Sequence, residues 1–174
     1  MGEKSKMIGE FGEKTVENFL KLIGWGEAPR NIEFNCHKEK HEKGTHGLDF
    51  FFPYKSPLVD FVLKKINISV KFTDKPYPNS PNSTFKGYFK DLASTIECFK
   101  TSPEYKEIIN PIKNYSKGED IGVLFWLSND PETYTDLISK IANSILPADY
   151  NYDNIYIVDN KRIDFIYLSL KFAY

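Results

Sequence analysis

From Gly47 to Thr73 the chain reads GLDFFFPYKSPLVDFVLKKINISVKFT. In its second half Ile66, Ile68, Val70 and Phe72 alternate with Asn67, Ser69 and Lys71. A period of two puts the first set on one pleated face and the second on the other, which commits the segment to a strand. Ser69 and Lys71 then point the same way. The first half carries a shorter apolar run, Leu48 to Phe52, interrupted by Asp49. Packing accounts for neither Asp49 nor Lys71, and any sheet built on these strands has to bring in its cover from elsewhere in the chain.

Cover is available on both sides of the stretch. Ile8, Phe11, Val16, Phe19, Leu20 and Ile23 recur at three and four between Met7 and Gly24, which is helical spacing, and Glu10, Glu13 and Glu17 form their own stripe on that helix. RNIEFNC, Arg30 to Cys36, alternates as a half-buried strand. Pro53 and Pro57 bracket a turn, and Leu58 to Leu63 reads as a short strand or a helical turn, the strand being preferred because it can pair across a loop with Ile66 to Phe72. DKPYPNSPNST is the longest loop. A helix is expected from Phe85 to Phe99, and another opens at Pro103 and runs to about Ile112. Ile121 to Leu127 is a continuous apolar run, as in a strand buried on both faces. Asp130 and Pro131 read as the start of a helix reaching Ile145. Asn154 to Val158 and Ile163 to Phe172 read as two strands joined at Asp159, Asn160 and Lys161.

A length of 174 residues fits a single domain, 1–174, with a substantial core. Net charge is −1, with an isoelectric point near 6.3, so any basic surface is local. Arg30 and Arg162 are the only arginines. The wealth of Asn, Ile, Phe and Tyr is what an AT-rich genome encodes, and it accounts for much of the aromatic content without a base-stacking role. Cys36 and Cys98 are too few for a disulfide framework, MGEKSKMIGEF lacks the apolar run of a signal peptide, and no segment approaches transmembrane length. These features lead to the expectation of a reducing cytoplasm and no membrane. The chain stops at SLKFAY directly after a strand-like pattern, as one domain of a longer protein would.

Taken in order, GEFGEKTVENFLKLIGW, HGLDFFF and ISVKFT resemble the PD-(D/E)xK nuclease superfamily, the restriction-endonuclease-like fold. Gly9 and Glu13 match its Gly-x-x-x-Glu helix signature, Asp49 matches the first strand acid, and Ser69-Val70-Lys71 stands where (Asp/Glu)-x-Lys belongs. The resemblance implies an α/β protein with an αβββαβ core and a mixed central sheet flanked by helices, to which the sequence adds a C-terminal helix and β-hairpin. It implies an endonuclease that hydrolyses DNA phosphodiester bonds with Mg²⁺ (or Mn²⁺), in defence against phage or plasmid DNA. Asp49 and the Val70 carbonyl would hold the metal, Glu13 or, one turn earlier, Glu10 would complete its shell, and Lys71 would serve the nucleophile. Lys75, Lys86 and Lys90 are the expected phosphate contacts, and His46 and Lys43 overhang the site from the preceding loop. A near-neutral domain of this size would need a homodimer or a partner subunit to cut both strands.

Two positions depart from the pattern. Leu48 replaces the Pro before the aspartate, and Ser69 replaces the third acid. Some restriction enzymes of the superfamily carry Ser there and recruit a carboxylate from the next helix, and by analogy Asp91 or Glu97 would be that migrated acid. With no replacement, the domain would be an inactive DNA-binding or scaffolding subunit. A competing constellation is Cys36, His37, His41 and His46, all of metal-binding types, with every histidine of the chain within ten positions. Its spacing matches no common zinc finger or ribbon, and the intervening Lys and Glu residues suggest a solvated loop.

Overall fold

The computed structural model describes residues 2–130 and 136–173. In chain order it contains α1 (Gly2–Leu22), β1 (Arg30–Asn35), a 3₁₀ turn (Glu39–His41), β2 (Thr45–Lys55), β3 (Val62–Thr73), α2 (Asn82–Phe99), α3 (Pro103–Ile109), β4 (Lys117–Ser128), α4 (Leu137–Ile141), β5 (Asn154–Val158) and α5 (Asn160–Ala173). The five strands lie in sequence order; β1, β2 and β3 are antiparallel neighbours, and β4 and β5 continue parallel to β3. This is the mixed α/β sheet expected of a restriction-endonuclease-like core.

β3 is central because both of its faces are apolar enough to be covered. On one side Val16, Phe19 and Leu20 of α1 pack on Phe50, Ile66 and Ile68. On the other, Phe89, Leu92, Ile96 and Phe99 of α2 pack on Leu48, Phe51 and Leu124. α1 approaches β3 closely at Gly12, where an added Cβ would lie 2.7 Å from Phe72 Cγ, whereas one at Gly9 would meet nothing within 4 Å. Gly12→Ala is therefore expected to lower stability by about 1–3 kcal/mol through overpacking. Gly9→Ala should raise stability slightly through helix propensity. Thermal melts of the two variants test the contrast.

The strands part in one place. The β2–β3 ladder runs from Lys55 opposite Leu63 to Phe50 opposite Ile68 and ends, while β3 stays paired with β4 as far as Thr73 opposite Ser128. There the alternation of β2 slips, because Leu48 and Phe51 both face α2 while Phe50 faces α1. Across from the slip, Asn31 of β1 adopts a left-handed φ of 52°, a conformation Asn tolerates better than most residues. Such irregularities re-aim side chains at the rim of a sheet. The residue at this one is Asp49.

Several expected elements differ. Ile163 to Phe172 forms α5, not the second strand of a hairpin: buried Asp159 caps the helix, accepting from the Arg162 N–H at 3.0 Å, and so stops β5 instead of turning it. β2 continues through Pro53, so the turn falls later and Leu58 lies in it, fully exposed, rather than in a strand. α3 ends at Ile109. The helix start expected at Pro131 lies outside the described residues, and α4 within that stretch is a short helix capped by Asp136. Among the described residues no helix is long and apolar enough to cross a membrane.

Candidate active site

At the fork, one oxygen of Asp49 accepts the Val70 N–H at 2.5 Å, a bond that takes the place of the missing ladder. β3 then projects Lys71 on the face toward α2, where its ammonium pairs with Asp91 at 2.9 Å and lies 5.5 Å above the Tyr88 ring. Tyr88 and Asp91 sit three apart on α2, hence on one face of it. Lys43, from the loop before β2, also bonds Asp91. Glu13 comes from the opposite layer on α1, half-buried, and feels the charge of Asp49.

The electrostatics define the character of this cluster. Burial pushes the Glu13 carboxyl above its ordinary pKa, and the neighbouring Asp49 and Glu10 charges add to the shift, against Arg30. Burial likewise raises Asp49, outweighing the Val70 N–H, the Lys71 charge and the Ser69 hydroxyl, with Asp91 adding to the rise. Asp91 goes the other way: burial alone would raise it, but Lys71 and Lys43 bring it below the usual carboxylate range. Arg30, the cation nearest in influence to Glu13, is itself engaged with Glu17 at 3.2 Å. Two carboxyls crowded together with raised pKa values, beside a third already neutralised by lysines, leave surplus negative charge at one spot.

A family model described as the GAPS4 protein PD-(D/E)XK nuclease domain matches residues 1–162. The chain belongs to this family. Neither the curated proteins nor the solved structures contain a match to it.

Within this nuclease domain the sequence-derived residues divide sharply. Asp49 and Val70, and Lys71 and Asp91, are bonded at the fork, Glu13 feels the Asp49 charge from the α1 side, and Ser69 is buried next to them. Of the two candidate acids on α2, Asp91 is the one that pairs with Lys71. Glu97 does not: nearly two turns further along, it is buried against Lys38, Lys40 and His41 at 2.7, 3.0 and 2.9 Å. His46 is also displaced from the expected role of phosphate contact, being 3% exposed and stacked on Phe34. Glu10 is exposed and sits 3.8 Å from Lys6. Lys75, Lys86 and Lys90 are all exposed.

Tyr88 and Arg30 had no role in the sequence reading. Tyr88 carried a usable signal, since three residues before a candidate acid on a helix is its own face. Arg30 carried none beyond rarity; it lines, with Glu10, Glu13 and Glu17, a cleft of about 170 Å³ that opens beside the fork. The donors at the fork are oxygens of Asp49, Glu13 and the Val70 carbonyl. Such a set, with its excess of negative charge, fits a hard divalent cation.

Proposed function

We propose that this domain is an endonuclease that hydrolyses DNA phosphodiester bonds with Mg²⁺ or Mn²⁺, in the setting of defence against phage or plasmid DNA. The observation that carries the reading is the convergence of Asp49, Glu13, Asp91 and Lys71, from four different elements, on the fork between β2 and β3. Asp49, Glu13 and the Val70 carbonyl would hold the cation, which supplies Lewis-acid polarisation of the phosphate and a more acidic water. The nuclease family and its resemblance to restriction enzymes support DNA and the defence setting.

The chain's own residues do the positioning. The Val70 N–H fixes the Asp49 carboxylate, so that its other oxygen is presented without rotation. Lys71, held by Asp91 and the Tyr88 face, orients the attacking water through its N–H groups and meets the charge that develops on phosphate. Asp91 keeps the ammonium in place while its own charge is balanced by Lys43. Exposed Lys75, Lys86 and Lys90 grip the backbone without reading sequence. Cutting both strands requires a second active site, from a homodimer or a partner subunit.

The test is plasmid and linear-duplex cleavage with Mg²⁺ or Mn²⁺ by wild type, Asp49→Ala and Lys71→Ala. Wild type is expected to nick or linearise DNA, and each variant to fall by about 10²–10³-fold or more, the size of effect that loss of a transition-state charge contact produces. Wild type that binds DNA but cuts nothing across metals and salt would replace this reading with an inactive scaffolding role. Cleavage confined to RNA would overturn the choice of substrate.

A further inference from the structure

We infer that Cys36, His41, His46 and Cys98 form a structural zinc centre that staples the loop between β1 and β2 to the end of α2. The residues come from four places: just past β1, the 3₁₀ turn, the start of β2 and the last turn of α2. Their ligand atoms all lie within 4.8 Å of one another. Cys36 Sγ is 3.4 Å from His41 Nδ1 and 3.6 Å from Cys98 Sγ, and Cys98 Sγ is 3.2 Å from His41 Nδ1. Zn–S bonds of about 2.3 Å and Zn–N bonds of about 2.0–2.1 Å in a tetrahedron require edges of roughly 3.3–3.8 Å. Cys36, His41 and Cys98 are already spaced nearly as zinc would space them, and His46 closes the set from within 4.8 Å.

A second observation points to a ligand. His46 is buried, its Nδ1 lies 3.2 Å from the Thr95 hydroxyl, and its Nε2 is buried with no hydrogen-bond partner among the described residues. A buried polar nitrogen left unsatisfied costs about 1–3 kcal/mol, and a metal bond removes that cost. His41 is oriented in the complementary sense, with Nε2 held by the Glu97 carboxylate at 2.9 Å and Nδ1 turned toward both sulfurs. A carboxylate behind a ligating histidine is the usual outer partner of a zinc site. Lys38 and Lys40 in turn hold Glu97, which explains why an acid is buried there.

Chemical balance supports zinc over other metals. Two thiols bind as thiolates and release their protons to water, so Zn²⁺, two thiolates and two neutral imidazoles sum to zero charge in a buried place. Sulfur donors disfavour Mg²⁺ and Mn²⁺, so the centre does not compete with the fork for its cation. Its effect reaches the fork through the chain. Lys43, which bonds Asp91, lies in the stapled loop, and Asp49 follows His46 by three residues on β2. His37, part of the sequence cluster, is exposed and outside the centre.

The full chain, free of any histidine tag and purified from zinc-supplemented cells, is expected to retain stoichiometric zinc through gel filtration. Exchange into Co²⁺ should give the intense visible bands of a tetrahedral ion together with thiolate-to-cobalt charge transfer. Cys98→Ser and His46→Ala are expected to reduce zinc to background, His37→Ala to leave it unchanged, and Glu97→Gln to weaken affinity about 10- to 100-fold. If the ligand variants fail to fold, the wild-type cobalt spectrum and the protection of both thiols from a disulfide reagent until chelator is added still decide. Wild type with no zinc, a cobalt spectrum lacking thiolate bands, or thiols that react at once in the presence of zinc would each overturn the assignment, whatever the outcome of the cleavage assay.

Discussion

Asp49→Asn is expected to abolish cleavage, by about 10³-fold or more, while making the metal-free protein more stable than wild type. The amide oxygen still accepts the Val70 N–H that the carboxylate accepts at 2.5 Å, so the fork keeps its shape. What disappears is a charge that burial and the Asp91 carboxylate disfavour. The sign follows from linkage. A carboxyl whose pKa is raised on folding binds its proton more tightly in the native state, so wild-type stability falls as pH rises from the unfolded to the folded value and stays lower above it. The variant lacks this loss. Its advantage in Tm should be full at neutral pH, close as pH falls through the folded Asp49 pKa, and shrink when Mg²⁺ is titrated into wild type. An Asp49→Asn protein less stable than wild type at neutral pH without metal would show that the carboxylate is held for structure and not for a cation.

Asp120→Ala should produce the largest loss of stability, about 3–5 kcal/mol, with little effect on the chemistry of the molecules that remain folded. Asp120 is 7% exposed and pairs with Lys65 at 2.7 Å and Lys100 at 2.9 Å. Lys65 is equally buried, and its remaining contact is the Tyr105 hydroxyl at 3.2 Å. Deleting the acid leaves an ammonium in the interior with one neutral partner. Lys65 pairs in register with Asp120 at one end of the β3–β4 ladder, and Lys71 lies six residues further on, about 20 Å at strand rise. Urea unfolding should show a lower midpoint at unchanged slope. Cleavage per folded molecule should stay within about twofold, since contacts this far apart are usually independent.

Part of the candidate site was legible because strand periodicity is a local signal. The alternation of Ile66 to Phe72 fixed which way Lys71 points, and the helical spacing of Val16, Phe19 and Leu20 brought Glu13 along on the same helix. What chose between Asp91 and Glu97 was helical phase relative to β3, which depends on where α2 docks, and docking is not written in the spacing of either acid. One of the four zinc residues escaped for a related reason. Three ligands are local, but the fourth, Cys98, is 62 residues from Cys36, and His37 stood in its place in any reading by proximity. α5 was misassigned because its Ile, Phe and Tyr favour strands, while the decision rests on one buried cap, Asp159, whose side chain reaches the Arg162 N–H.

The fork has a consequence for a ribosome making this protein. Among the described residues β3 pairs beyond Ile68 with β4 alone, Lys71 standing opposite Trp126, while on its open side the Val70 N–H goes to Asp49. Asp49, Lys71 and Asp91 have all been translated by residue 91, yet Trp126, the strand partner of Lys71, emerges some thirty-five residues later. On the proposed nuclease reading, the hydrolytic centre is expected to be completed only with the sheet that holds it, after β4 has emerged.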